Sequence, residues 1–323
     1  MEEKKDKNSL YKKIRKKINF KDIIVAIIRL IIIVGISYII LLPLLTKIST
    51  AFMEEIDIYD PTVRWIPRHF TLENFAIVWE HMEYPKSFLN SFIFAFLVSL
   101  FQLISCTLIG YGFARFDFKG KSIWFGIVIF MLIVPPQVIS TSLYLNFRYL
   151  DFFGLLPDGG LNLINTFWPL LLLAITGTGY KNGLFIYIAR QFFKGMPREL
   201  EESAYVDGAG PLRTFYSIML PGAVPVIIII FLFSFVWQWN DSYFVELYMG
   251  DMTLLPRSLQ NVARNYYSEL VGEVGDDIAM ISFPELSIIE NTGMLMFMAP
   301  LLLLYVFLQR YFIESVARTG IVG

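Results

Sequence analysis

The sixteen residues Gly195-Met196-Pro197-Arg198-Glu199-Leu200-Glu201-Glu202-Ser203-Ala204-Tyr205-Val206-Asp207-Gly208-Ala209-Gly210 are polar, bounded by glycine, and set between two long apolar runs. Their pattern predicts a short exposed helix. Pro197 suits the first helical position, where a missing N–H costs nothing, and Glu199, Glu201 and Glu202 put negative charge at the positive end of the helix dipole. Gly208 and Gly210 stop the helix. Leu200, Ser203, Ala204 and Asp207 recur at spacings of three and four, so they share one face, whose small centre lets another protein's groove approach the backbone. Two readings stand on these residues alone: a docking helix, or a solvated helix that merely joins two spans.

Outward from this loop the chain is dominated by apolar residues. They make up 56% of 323 residues, against 17% charged, which is more than a soluble core of this size uses. A helix needs about 20 mostly apolar residues to cross the hydrocarbon, and six stretches qualify: 24–48, 91–113, 123–145, 163–189, 224–247 and 293–312. The net charge of −1 hides a segregation, because the first 21 residues hold nine Lys or Arg. With the amino terminus inside, the inner segments hold eighteen basic residues and the outer segments seven. Since cytoplasmic loops keep Lys and Arg, both termini are expected in the cytoplasm. The apolar run 30–45 after the basic arm superficially resembles a secretory signal, but it is too long and no small-residue cleavage site follows. A retained first span is expected.

The expected organisation is a basic cytoplasmic arm over 1–22, a six-helix transmembrane domain over 23–313, and a cytoplasmic tail over 314–323. Within the domain lie an outer loop at 47–90, the cytoplasmic loop at 194–220, and a long acidic outer loop at 250–292. In the arm, Leu10, Ile14 and Ile18 recur at helical spacing among lysines, which suits either a helix lying on the anionic inner leaflet or a solvated orientation signal. In the first outer loop, Thr71 is expected to cap an interfacial helix whose Phe75, Val78, Trp79 and Met82 share a face and which stops before Pro85. Pro135-Pro136 is expected to kink the third span.

Little in the sequence supports catalysis. His69 and His81 lie in an outer loop with no cysteine nearby, so neither a zinc site nor a Cys/His nucleophile is available, and both read as ordinary surface residues. Cys106 sits in an apolar run and reads as a small buried hydrophobe. Gly120-Lys121-Ser122 looks like the end of a phosphate-binding loop, but Arg115 stands where that loop needs its first glycine. No catalytic, metal-binding or cofactor-binding residue is assigned.

The loop resembles that of the membrane subunits of ABC importers, which carry E-A-A, three residues, G, nine residues and I-x-L-P. The matching residues are Glu202-Ser203-Ala204, Gly208 and Ile218-Met219-Leu220-Pro221, with Ser203 as the one departure. The likeness is greatest to carbohydrate importers, of the type of the second permease subunit of the maltose transporter. Further matches run from the first span to the tail: Trp65-Ile66-Pro67, Thr71-Leu72-Glu73-Asn74-Phe75, Asn90-Ser91, Tyr111-Gly112-Phe113-Ala114-Arg115-Phe116, Pro135-Pro136-Gln137, Arg190-Gln191-Phe192-Phe193, Trp239-Asn240-Asp241 and Gln309-Arg310-Tyr311-Phe312. The outer segment 257–290 is longer than usual, and Glu314-Ser315 stands where a glycine is common.

The resemblance implies an all-α membrane protein with the type I ABC importer permease fold, in a bacterial or archaeal cytoplasmic membrane. It implies a coupling helix seated on a separate ATPase subunit, with Glu202, Ser203, Ala204, Asp207, Gly208 and Pro197 as its residues, and a weaker tail contact through Arg318, Thr319 and Gly320. ATP and Mg are expected on two partner ATPase subunits. A second permease subunit, an extracytoplasmic solute-binding protein and membrane lipid complete the partners, and no nucleic acid is expected. The cargo is expected to be a sugar or oligosaccharide. Rival readings are import of another polar solute such as glycerol phosphate, a polyamine or a peptide, and an autonomous channel or secondary transporter.

Two groups of residues are candidates for the pathway. Lys181, followed by Asn182, stands in a glycine-rich interruption of the fourth span, and either lines a cavity or snorkels toward the cytoplasm. On the fifth span Trp237, Trp239, Asn240 and Asp241 pair aromatic faces with hydrogen-bonding groups, as a sugar site requires, or else form an interfacial belt at a helix end.

Overall fold

The computed structural model describes residues 20–151, 160–274 and 283–320, with 310–320 as backbone alone. The amphipathic part of the basic arm therefore lies outside the described residues. The chain forms two compact units, 1–72 and 73–323.

In the first unit, α1 (Phe20–Ala51) is followed by the short α2 (Glu55–Tyr59). Helix α1 leaves its apolar side chains bare, with Ile31 at 65% and Ile39 at 70% exposure. Water would not tolerate such a surface, whereas lipid does. Beyond α1 the chain folds back on itself: Met53 bridges Phe70, and the rings of Phe52 and Phe70 stack 5.1 Å apart. Asp57 fastens this turn. Its carboxylate accepts the N–H groups of Arg68 at 2.8 Å and His69 at 2.9 Å, and pairs with His69 Nδ1 at 2.7 Å. Asp57 is shielded at contact distance by this one thin loop rather than set deep in protein.

The second unit comprises α3 (Glu73–His81), α4 (Tyr84–Arg115), α5 (Lys121–Ile133), α6 (Pro136–Arg148), α7 (Trp168–Ile175), α8 (Asn182–Gly195) and α9 (Glu199–Val206). A segment of α10 (Pro211–Thr214), a π turn (Phe215–Met219) and α11 (Leu220–Gly222) leads into α12 (Val224–Asn240), α13 (Tyr243–Met249), α14 (Leu255–Val274) and α15 (Phe283–Gly320). Helix α4 is the central post and packs chiefly on α8 and α12. Gly110 permits the first of these contacts, because a Cβ there would stand 2.5 Å from that of Ala189. Its missing methyl lets the two backbones close up.

Among the described residues three helices are long and apolar enough to cross a membrane, or up to five if each of two bent pairs counts as one span. The sequence expectation was six. The difference lies at 163–189, where helix is confined to α7 and α8 with an irregular stretch between them. Pro135-Pro136 bends α5 against α6 by 101°, as expected, since proline removes a donor and restrains the residue before it. Pro300 does the same chemistry within α15: it frees the carbonyl of Met296, and the Tyr84 hydroxyl takes that bond at 3.0 Å.

The helix expected over this segment forms as α3, but its apolar face packs into the protein core: Val78, and Met82 just after the helix, are fully buried beside Ala95 and Trp239, Phe75 is half-buried, and Trp79, expected on the same face, is exposed. Of the segment expected as the second outer loop, the described residues are mostly helical. Its α14 packs on α15 and on α3, and Asn90 and Ser91 of α4 hold the turn before it through Thr253 O and Leu255 N–H. His81 is not a plain surface residue: its side chain is 11% exposed, beside Glu269 at 3.5 Å and edge-on to Tyr266. Nor is His69, which holds Asp57.

Candidate functional site

The loop helix α9 is eight residues long, starts after Arg198, and carries Glu199, Glu201 and Glu202 in its first turn. Pro197 precedes it. The helix ends at Gly208, whose N–H returns to Tyr205 O while Ala209 N–H returns to Ala204 O, with Gly208 at φ +79°; Gly210, also expected to stop it, instead stands extended at the start of α10. This paired closure requires a left-handed residue, the conformation glycine adopts without steric cost. Space around Gly208 is open, so conformation and not close packing fixes its identity within this chain.

The inward face of α9 differs from the expected grouping. Glu201 and Ala204 are buried, while Glu202, Ser203, Asp207 and Gly208 are exposed. Glu201 accepts the hydroxyl of Tyr111 at 2.7 Å, and its other oxygen lies 3.3 Å from Arg115 Nε. That nitrogen makes no aligned hydrogen bond, so the second contact is Coulombic. Arg115 instead donates through its terminal nitrogen to Met196 O at 2.7 Å. Thus α9 is clamped to the end of α4 from both sides. Its free surface consists of Glu202, Ser203, Leu200 at 40%, Tyr205 at 44% and Val206 at 87% exposure. Beyond it, the ladder widens into the π turn just before Pro221, where the missing N–H already interrupts it.

A second site lies where three helices break. A cleft of about 330 Å³ is lined by Gln137 after the α5–α6 bend, Tyr180 and Lys181 between α7 and α8, Trp237, Asn240 and Asp241 at the end of α12, and Gln102 of α4. Gln102 holds the irregular backbone: its amide donates to Tyr180 O at 2.9 Å and to the side-chain oxygen of Asn182, and it accepts the hydroxyl of Ser234. Tyr180 stacks flat on Phe244 with ring centres 3.6 Å apart. Lys181 adopts φ +68°, and its ammonium stands 5.0 Å from the centre of the Trp237 ring. Asp241 accepts the N–H of Phe244 at 2.9 Å and so begins α13.

Of the pathway candidates, the structure brings Lys181, Asn240 and Asp241 together. Asn182 is fully buried behind the wall, and Trp239 is 1% exposed, with its N–H given to Phe297 O. Trp239 is a core residue; Trp237 faces the cleft. Sequence reasoning gave Glu201 only a part in the helix dipole and assigned no site role to Gln102, Gln238, Tyr111 or Arg115. Tyr111 and Arg115 stood in a quoted motif, which was the available signal. Arg318, Thr319 and Gly320 fall on the last turn of α15, where side chains lie outside the described residues. Lys121 of the imperfect phosphate-loop string is tied to Phe116 O and Asp117. Among the described residues no three His, Cys, Asp or Glu side chains converge as metal ligands.

A helical membrane bundle with a clamped polar loop and a cleft at its helix breaks defines a permease class, and the sequence places the chain within it. Residues 106–318 match the model of the binding-protein-dependent transport system inner membrane component, and the chain belongs to that family. It is 27% identical over 282 residues to the probable ABC transporter permease protein YurM of Bacillus subtilis (strain 168), covering 87% of this chain and 83% of that one. Against the arabinooligosaccharides transport system permease protein AraQ of Halalkalibacterium halodurans identity is 27% over 293 residues, covering 89% and 93%. The fold matches, at a TM-score of 0.71 and 17% identity, a chain of a bacterial ABC transporter involved in the import of the acidic polysaccharide alginate, covering 91% of this chain and 98% of that one.

Proposed function

We propose that the chain forms half of the translocation pathway of an ATP-driven importer for a sugar or oligosaccharide, and is moved by separate ATPase subunits through α9. The observation that carries this reading is the cleft, because its polar groups come from the break points of three helices. Irregular backbone at membrane depth is tolerated where it is buried in protein or lines a cavity. Counting α7 and α8 as one broken span gives six, with both termini in the cytoplasm of a bacterium or archaeon. That orientation puts α9 on the side where ATP is available.

In this reading Glu202, Ser203, Asp207 and Gly208, followed by the exposed Val206, meet the ATPase subunit, Pro197 and Ala204 shape the helix, and Arg318 to Gly320 add a tail contact. ATP and Mg bind the ATPase subunits. A second permease chain completes the pathway and a binding protein delivers cargo from outside. Closure of the ATPase pair moves α9, and the Glu201 clamp passes that motion to α4 and so to the cleft. The name of AraQ and those of other relatives, such as the melibiose, raffinose and stachyose import permease of Bacillus subtilis, favour a carbohydrate.

The test is ATP hydrolysis and vesicle uptake by the purified assembled complex with its binding protein and a panel of sugars. Sugar-dependent stimulation with ATP-dependent uptake is expected. Uptake by this chain alone, indifferent to ATP depletion, would overturn the reading.

A further inference from the structure

We propose that Gln102 is a positioning residue for cargo: through one amide it holds the two walls of the cleft in register, and so sets the affinity for the transported sugar. This rests on the importer reading above. One wall is the break between α7 and α8, which presents Tyr180 and Lys181; the other is the end of α12, which presents Trp237, Asn240 and Asp241. The Gln102 amide nitrogen serves the first wall, donating to Tyr180 O at 2.9 Å and to the side-chain oxygen of Asn182. Its oxygen serves the second, by accepting the Ser234 hydroxyl. Ser234 lies three residues before Trp237 and seven before Asp241, a spacing that puts all three on one side of α12 and its cap. Tethering Ser234 fixes the rotation at which α12 offers them to the cleft.

Burial gives this junction its weight. Gln102, Asn182 and Ser234 are all buried, and both N–H groups and the oxygen of the Gln102 amide are spent on the two walls. Such bonds are directional, and in a buried setting they specify one arrangement of the elements they join. The other ties across the gap are less exacting. The Trp237 ring meets Phe185 of α8 at 5.6 Å and the Lys181 ammonium at 5.0 Å, contacts whose favourable distances are broad. Tyr180 stacks on Phe244 and meets the hydroxyl of Tyr248, both of which belong to α13, past the end of α12. Ser105, one turn along α4 from Gln102, bonds Ala174 O at 2.6 Å and so holds α7, but neither of these residues lines the cleft.

The experiment uses the assembled transporter with its binding protein, in vesicles with an ATP supply inside, and whichever of maltotriose, raffinose and arabinotriose wild type imports fastest. Ser234→Ala and Gln102→Leu are expected to raise KM for uptake about tenfold, the equivalent of one lost buried hydrogen bond, with the maximal rate within about twofold. Ser105→Ala is expected to keep the wild-type KM. The second readout is the distance between nitroxides at Thr178→Cys on the break and Asn240→Cys on α12, since the native Cys106 is buried. Its distribution is expected to broaden in Ser234→Ala and to stay narrow in Ser105→Ala. Ser234→Ala removes a single hydroxyl and decides the matter if Gln102→Leu fails to fold. An unchanged KM or an unchanged distance distribution in Ser234→Ala overturns the proposal, as does an equal rise of KM in Ser105→Ala. Absence of ATP-dependent uptake by wild type overturns the importer reading instead, and the distance distributions then decide alone whether Gln102 sets the register.

Discussion

Tyr111 gives its hydroxyl hydrogen to Glu201 across 2.7 Å, and so the central helix α4 and the loop helix α9 are joined by a bond between side chains ninety positions apart. Removing the carboxylate strands both the phenol and the guanidinium of Arg115, whose side chain is 4% exposed. Loss of one partner of a buried pair costs about 3–5 kcal/mol, against about 1.5–3 kcal/mol for a single hydrogen bond to a charged group. Glu201→Ala is therefore expected to lower the thermal midpoint of the purified protein well beyond Tyr111→Phe. Equal midpoints for the two variants would show that the clamp carries no such load.

Glu202 is expected to behave differently, because it faces outward. Glu202→Ala should leave the folding stability within about 0.5 kcal/mol of wild type yet uncouple hydrolysis from uptake in the assembled complex. A bulky residue at Gly208 should do the same at a further cost of about 1–2 kcal/mol for the left-handed backbone. Normal transport in both variants removes the proposed coupling role of these residues.

Gln102→Leu removes the one side chain that serves Tyr180 O, Asn182 and Ser234 together. Stranding these groups is expected to cost about 1–3 kcal/mol for each one left unpaired. Faster amide exchange at Lys181 and Asn182 is the local readout. Unaltered exchange there would mean that the break is held by packing alone.

The turn that joins Met53 to Phe70 should respond to acid through Asp57. Burial alone raises its carboxyl pKa, but the His69 N–H, the His69 ring and the Arg68 N–H outweigh it and hold the group below its usual 3.8. A depressed folded value means that the contribution is complete above about pH 4 and is lost as pH falls through that lower value. Protection of the Arg68 and His69 amides is expected to be high at about pH 5 and to fall progressively as pH drops below 3.8, and to be weak throughout in Asp57→Ala. Protection that ignores both pH and substitution would exclude the carboxylate as the fastener.

Much of this was legible from the residues. The glycine stop after α9, the bend at Pro135-Pro136 and the shared apolar face of Val78 and Met82 all follow from local chemistry, although that face meets the protein core. The phase of α9 did not follow, because both Glu201 and Glu202 lie in the same turn and only the position of α4 decides which one turns inward. The tryptophans failed for a related reason. Trp237 and Trp239 are two residues apart, nearly opposite on a helix, so they cannot share a cleft. Gln102 was hidden because an amide in an apolar run gives no periodic signal, and its value lies in groups that sequence places far away.

The irregular stretch between α7 and α8 has a consequence for how the pathway can change. Its carbonyl at Tyr180 is satisfied by Gln102, a side chain borrowed from another helix, so the joint's stiffness is set from outside the joint. Substitutions at 102 or 234 would loosen or tighten it without altering a residue of the stretch itself.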